Sequence, residues 1–289
     1  MSWIHQTVAD GSGEDSLFHR GRTVLWRLAK MSLACYLAVL LMMIFLENAL
    51  IFPAPRYPTG NWQHGFEDIH FQSADGTKLH GLLLEHENPD VHILFCHGNG
   101  EHVAYTCDLL ESYRDDMNAT VFAFDYRGYG RSEGKPHEQG VLDDGQAAHQ
   151  WLAKRVGIQH DEIVLIGRSL GGAVAVDLAT TNGARALVIE RSFSKMPDVA
   201  ARLYPFLPIR FLMRTKFDSV SKIGRFRGPI LQSHGTEDSI VPYDIARKLF
   251  DAAPIDNKQF YDEKDMGHND PYTDGYWSTL QAFLRNLDE

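Results

Sequence analysis

The sequence is short of several things, and each shortage narrows what the protein can be. It has three cysteines, Cys35, Cys96 and Cys107, too few and too scattered for a disulfide framework or a zinc-binding spacing. Cys35 lies in an apolar run and Cys96 ends a buried-strand pattern, so both read as packing residues. No long Lys/Arg run occurs, and 38 acidic against 28 basic residues give a formal charge of -10. That balance argues against nucleic acid as a partner and fits a solvated acidic surface. There is no His-Glu-x-x-His, and the 14 histidines lie without ligand spacing, so neither metal nor cofactor is expected. Internal repeats and low-complexity tracts are missing too. What remains is an ordinary globular composition, 44% hydrophobic and 23% charged over 289 residues, enough for one large α/β domain and an appendage.

One long uncharged run is present, residues 31–46, preceded by Arg20, Arg22, Arg27 and Lys30. As a helix it covers roughly 24 Å of a hydrocarbon core of ~30 Å, and Leu28 and Ala29 lengthen it if Lys30 snorkels to the interface. A buried core helix is the competing reading. Position near the terminus, all-round apolarity and the basic flank favour a membrane span. A cleavable signal peptide fits less well, because Glu47-Asn48-Ala49-Leu50-Ile51-Phe52 offers no small-x-small pair to cut. Only Arg56 follows the span closely, so the positive-inside bias leaves the amino terminus in the cytoplasm and the rest across the membrane. The expected organisation is a cytoplasmic tail over 1–27, its first 15 residues irregular, and a transmembrane anchor over 28–52. A linker over 53–62 marked by Pro53, Pro55 and Pro58 follows, then a domain over 63–289.

Within that domain, short β-branched and aliphatic runs alternate with helical patterns. Residues 69–73 and 78–85 flank Ala74-Asp75-Gly76-Thr77, a hairpin signal. Further strands are expected over 91–96, 119–125, 186–190, 229–233 and 258–261, with one more in the run 163–166 that enters Gly167, and helices over 101–117, 141–155, 243–252 and 275–287. The fold class is therefore α/β: eight strands in a mostly parallel sheet, helices on both faces, and an antiparallel edge from the opening hairpin.

The chemistry concentrates at strand ends. Gly167-Arg168-Ser169-Leu170-Gly171 lies between a strand and a helix, the setting of a nucleophile elbow. Gly167 and Gly171, lacking Cβ, let strand and helix approach around Ser169. A serine hydroxyl needs a base, and the base an orienting acid. Downstream come Ser233-His234-Gly235-Thr236-Glu237-Asp238 and then Met266-Gly267-His268-Asn269-Asp270, the order Ser…Asp…His proper to a triad on such a sheet. Ser169 is the candidate nucleophile, His268 the base and Asp238 the acid. Glu237, Glu190, Asp265 and Asp270 stand as rival acids. Oxyanion donors are expected from the backbone N–H of Leu170 and from His97-Gly98-Asn99-Gly100, through Asn99 or, failing that, Gly100.

These segments, with Asp125-Tyr126-Arg127-Gly128-Tyr129-Gly130-Arg131-Ser132, resemble the α/β-hydrolase superfamily in sequence and order. With the apolar amino-terminal anchor, the chain looks most like its membrane-anchored, bud-emergence-type branch. The match runs over roughly 52–287 and is specific for fold and triad, less so for substrate; Gly100 stands where relatives often carry alanine. The resemblance implies an α/β-hydrolase fold with Ser169, Asp238 and His268 as triad. The 125–132 segment reads as bracing for the site floor. Residues 191–227 are rich in apolar and aromatic side chains, from Phe193 to Met213, and are expected to form a small cap, either an acyl-binding wall or plain helix–sheet packing. The expected activity is a membrane-anchored serine hydrolase acting on a small acyl ester, thioester or lipid-like substrate. The competitors are an aminoacyl or dipeptidyl peptidase-like amide hydrolase and a non-catalytic membrane scaffold that retains the fold.

Overall fold

The computed structural model describes residues 12–56 and 65–288. The first 11 residues of the expected tail and positions 57–62 of the expected linker lie outside them. The chain divides into two compact units, Met1–Leu46 and Glu47–Glu289.

The first unit is carried by helix α1 (Ser12–Ile51), 40 residues long, whose last residues belong to the second unit. Irregular structure was expected through residue 15, yet the helix already runs from Ser12, since the Leu, Arg, Ala and Lys of residues 17–30 all favour helix and no proline interrupts them. From Arg22 to Ile51 it is long and apolar enough to cross a membrane. Its Leu37, Leu41, Met42 and Phe45 side chains are exposed, as an all-round apolar helix outside a protein core must leave them.

The expected anchor over 28–52 runs beyond this unit. Phe52 is a core residue of the second unit and meets Phe217 edge-on, with ring centroids 6.2 Å apart. Hydropathy cannot distinguish an apolar side chain bound for lipid from one bound for a core. The start of the expected linker is likewise pinned down: Gly130 N–H donates to Pro55 O (2.8 Å), and Arg56 Nη1 donates to Ser132 O (2.9 Å).

The second unit is built on eight strands: β1 (Glu67–Gln72), β2 (Lys78–Leu84), β3 (Val91–Cys96), β4 (Ala119–Asp125), β5 (Ile163–Arg168), β6 (Ala186–Glu190), β7 (Ile230–Gly235) and β8 (Lys258–Glu263). Their order is β1-β2-β4-β3-β5-β6-β7-β8. β2 is antiparallel to both β1 and β4, and every other pairing is parallel. All eight expected strands are present, with ends shifted by up to two residues.

The two-residue period of the strands sorts the core into two layers. Leu94, Phe122, Leu165 and Leu187 belong to one cluster, Ile93, Val121, Val164 and Val188 to the other. Helices α3 (Glu138–Val156), α4 (Leu170–Asn182) and α8 (Tyr243–Asp251) supply Leu152, Val174 and Leu249 to the first cluster. Helices α2 (Cys107–Asp116) and α9 (Asp274–Arg285) supply Leu110 and Leu280 to the second. The expected helix over 101–117 is divided instead: His102 is extended (φ -144°, ψ 162°), a 3-10 turn follows at Val103–Tyr105, and α2 begins only at Cys107.

The 191–227 segment holds three short helices, α5 (Met196–Leu203), α6 (Ile209–Leu212) and α7 (Ser219–Lys222). Its first residues are not a cap. Arg191, Ser192, Phe193 and Ser194 are buried, and Val199 and Phe217 join the core, while Leu203, Tyr204, Phe206 and Phe211 are exposed.

Candidate active site

Ser169 sits between β5 and α4 with φ 51° and ψ -116°, a conformation that costs a non-glycine residue on the order of 1–3 kcal/mol. The surroundings hold it there. Its N–H donates to Glu190 O (2.8 Å), and its carbonyl accepts from Gly172 N–H (3.0 Å) and the Ser192 hydroxyl (2.7 Å). A Cβ on Gly167 would overlap the Gly171 carbonyl, and one on Gly171 would overlap the Cys96 carbonyl. Both glycines of the pentapeptide are thus required by close backbone approach.

The loops after β7 and β8 bring the other two candidates to this serine. Ser169 Oγ lies 3.0 Å from His268 Nε2, and His268 Nδ1 lies 2.7 Å from Asp238 Oδ2. The Asp238 side chain is fully buried. Burial pushes its carboxyl up, but the hydrogen bond and charge of His268 and the Val241 N–H outweigh that and leave it below the usual carboxylate range. An ionised Asp238 only accepts, so the bond between the two is donated by His268 Nδ1–H, and Nε2 is the ring nitrogen turned to the serine hydroxyl.

The Asp238 loop is itself fixed. Oδ1 accepts from Ile240 N–H (2.9 Å) and Val241 N–H (2.8 Å), and buried His234 donates from Nε2 to Val241 O (2.8 Å). Burial depresses His234 and keeps it neutral near pH 7.

The rival acids are otherwise engaged. Glu190 accepts from Tyr113 (2.7 Å), Tyr272 (2.5 Å) and Tyr276 hydroxyls; burial raises its carboxyl, and the three tyrosines offset this only in part. Asp270 Oδ2 accepts from Gly267 N–H (2.7 Å). Asp265 and Glu237 are both exposed, and neither carboxylate is the one at His268 Nδ1.

Leu170 opens α4, so its N–H has no acceptor within the helix and stands at the positive end of the helix dipole. The 97–100 loop is held from three sides. Tyr126 hydroxyl donates to His97 O (2.9 Å), Tyr129 hydroxyl to Asn99 Oδ1 (2.6 Å), and Asn99 Nδ2 to Ile51 O (2.6 Å). Glu101 links this loop to the elbow. Its Oε2 accepts from Gly98 N–H (2.8 Å), and its Oε1 lies 3.0 Å from Arg168 Nη1.

Asp125, at the end of β4, braces the floor. Buried completely, it accepts from Val103 N–H (2.9 Å) and Arg131 N–H (3.2 Å) and pairs with His80 Nδ1 (3.0 Å). Burial raises its carboxyl, yet the His80 hydrogen bond, the His97 charge and the Val103 N–H leave it lowered overall. Among the described residues, no group of three His, Cys, Asp or Glu side chains is placed to hold a metal ion.

Sequence reasoning missed Arg191. Its side chain is fully buried and its φ is 47°. Nε donates to Glu263 Oε1 (3.1 Å), Nη2 pairs with Oε2 of the same fully buried carboxylate, and Nη1 donates to His268 O (3.0 Å) and Asp270 O. The arginine therefore clamps the loop carrying His268 against β6. The one signal in the sequence is an Arg directly after a buried strand, which alone says little.

The family described as "Serine aminopeptidase, S33" matches residues 87–206. "Alpha/beta hydrolase domain-containing protein WAV2" of Arabidopsis thaliana is 33% identical over 243 residues, covering 76% of this chain and 78% of that protein. "Protein bem46" of Schizosaccharomyces pombe is 29% identical over 277 residues, covering 89% and 92%. Among solved structures, the Pyrococcus furiosus esterase Pf2001 superposes with a TM-score of 0.67 at 20% identity, over 81% of this chain and 98% of that one. With the strand order, the elbow and this relationship in hand, the chain belongs to the α/β-hydrolase superfamily.

Proposed function

We propose that this protein is a membrane-anchored serine hydrolase that cleaves carboxylic esters or thioesters through an acyl-enzyme. The observation that carries the reading is the chain Ser169 Oγ to His268 Nε2 (3.0 Å) and His268 Nδ1 to Asp238 Oδ2 (2.7 Å). Ser169 Oγ attacks the acyl carbon while His268 Nε2 takes its proton, and Asp238 stabilises the imidazolium that forms. The developing oxyanion accepts from the Leu170 and Asn99 N–H groups, each such donor being worth about 3–4 kcal/mol. Collapse breaks the bond to the alcohol or thiol, which leaves with the proton from His268. Water then adds to the acyl-enzyme by the same exchange, and the carboxylic acid departs. The apolar part of α1 that ends at Leu46 supplies the anchor, with the amino terminus cytoplasmic and the catalytic domain on the opposite side.

The substrate class follows from what the site supplies. A triad and two N–H donors suit an activated acyl group, and anchoring favours an apolar acyl chain partitioned into the bilayer. Amide hydrolysis is the second reading, favoured by the family description over residues 87–206. A panel of p-nitrophenyl esters, acyl thioesters and aminoacyl anilides separates the two. Turnover of esters or thioesters that disappears in Ser169→Ala supports the proposal. Turnover of an anilide with every ester inert establishes the second reading. Inertness throughout, with no covalent labelling at Ser169, leaves a scaffold with a retained fold.

A further inference from the structure

Residues 202–216 read Arg-Leu-Tyr-Pro-Phe-Leu-Pro-Ile-Arg-Phe-Leu-Met-Arg-Thr-Lys. They hold Arg202, Arg210, Arg214 and Lys216 and no acidic residue, in a chain whose formal charge is -10. The same stretch exposes its large apolar side chains: Leu203 is 50% exposed, Tyr204 54%, Phe206 89% and Phe211 90%. Solvent-facing aromatics among arginines are the composition of a surface that lies in a headgroup layer, with rings at the acyl boundary and guanidinium groups on phosphate. Core packing does not account for them, because buried Val199 and Ile209 already pin the segment to the domain.

The segment is held next to the end of the apolar run. Glu47 is the first charged residue after the uncharged run of 31–46. It is buried, and its carboxylate accepts from Arg214 N–H (2.9 Å), Thr215 N–H (2.6 Å) and Arg214 Nε (3.1 Å). The residue at which the chain leaves the apolar run is therefore tied by hydrogen bonds to the basic-aromatic segment. Whatever bilayer holds residues 31–46 has its surface within a few residues' reach of that tie. Arg202 pairs with Asp244 and Arg210 with Asp198 (3.1 Å). Both arginines are more than half exposed, and such surface pairs are weak enough to exchange for lipid phosphate.

We propose that residues 202–216 form a second membrane contact, seated on the anionic headgroups of the bilayer that holds the anchor. Phe211 and Tyr204 enter the interface, and Arg202 and Arg210 engage lipid phosphates. The proposal rests on residues 31–46 spanning the membrane and is independent of catalysis. Its consequence is that the domain is held at its membrane by two contacts and does not swing free on a tether.

The test uses the full chain reconstituted in vesicles of phosphatidylcholine with or without phosphatidylglycerol. p-Benzoylphenylalanine replaces Phe211 in one protein, Tyr204 in a second and exposed Asn88 in a third; Asn88 precedes β3, at the end of the sheet away from Ser169. Irradiation is expected to yield lipid adducts from positions 211 and 204, several times more in the anionic vesicles, and background only from 88. Adding Arg202→Gln and Arg210→Gln should reduce the anionic yield to the neutral one. Adducts at background from 211 and 204, equal yields in both vesicle types, or cross-links to a second chain in place of lipid would each overturn the proposal. Retention through an alkaline carbonate wash reports the anchor separately, so loss of the span is not mistaken for loss of the patch.

Discussion

Replacing Arg191 by methionine tests whether the buried clamp holds the loop that carries His268. The change preserves an unbranched side chain at a position with φ 47°, so backbone strain is largely unchanged. It removes both contacts to Glu263, whose side chain is 0% exposed, and the donors to His268 O and Asp270 O. Breaking a buried ion pair from one side costs about 3–5 kcal/mol, because the remaining charge is left uncompensated. At about 2–4 °C per kcal/mol for a domain of this size, melting should fall by roughly 6–20 °C.

The double variant Arg191→Met/Glu263→Gln removes the stranded charge and should recover more than half of the loss. It does not restore the donors to the His268 loop. Labelling by a fluorophosphonate should therefore stay slow in the double variant although its stability returns. The assay is thermal unfolding of the full chain in detergent by near-ultraviolet circular dichroism, alongside labelling rates at a temperature where all variants are folded. A single variant within about 1 kcal/mol of the parent would refute the stability argument, since that is the scale of an exposed pair. Parent-like labelling by the double variant would refute the positioning argument.

Asp125 sets an acid limit on stability. Its folded carboxyl lies below its unfolded value, so over that interval the unfolded state binds more protons and stability rises with pH. The stabilisation is complete above the ordinary carboxylate value and is lost as pH falls through the lower folded one. Asp125→Asn should therefore cost stability at pH 7 and progressively less below about pH 4, as read from urea midpoints; a gap independent of pH would contradict the assignment. Glu101→Ala frees Gly98 N–H and Arg168 Nη1 and should lower kcat on an ester about tenfold, equivalent to ~1.4 kcal/mol, with KM little changed. Unchanged kcat would show that the 97–100 loop holds its form without that link.

The strands were readable because each is a short β-branched or aromatic run between turn residues, and the elbow because its glycines answer to steric overlap with Gly171 and Cys96 carbonyls. The chain order placed Asp238 and His268 on loops after β7 and β8, where the structure brings them together. The clamp was not readable: Arg191 meets Glu263 and His268 across separations of 72 and 77 residues, and no local pattern encodes such a pairing. Glu190 looked like a rival acid by its place at the end of β6, and only the fold surrounds it with Tyr113, Tyr272 and Tyr276. The core position of Phe52, at the end of the expected anchor, was not readable for a different reason. Phe52 is as apolar as its neighbours, and its environment, the core beside Phe217, is decided by tertiary packing.

In the proposed mechanism Ser169 is a nucleophile activated by His268, which Asp238 orients. The most direct measurement is intact-mass and peptide-level analysis of the full chain after treatment with a fluorophosphonate. The account predicts one covalent adduct per chain, on the peptide containing Ser169, absent in Ser169→Ala and slowed by orders of magnitude in His268→Ala. An adduct on another residue, or undiminished labelling in Ser169→Ala, would contradict it.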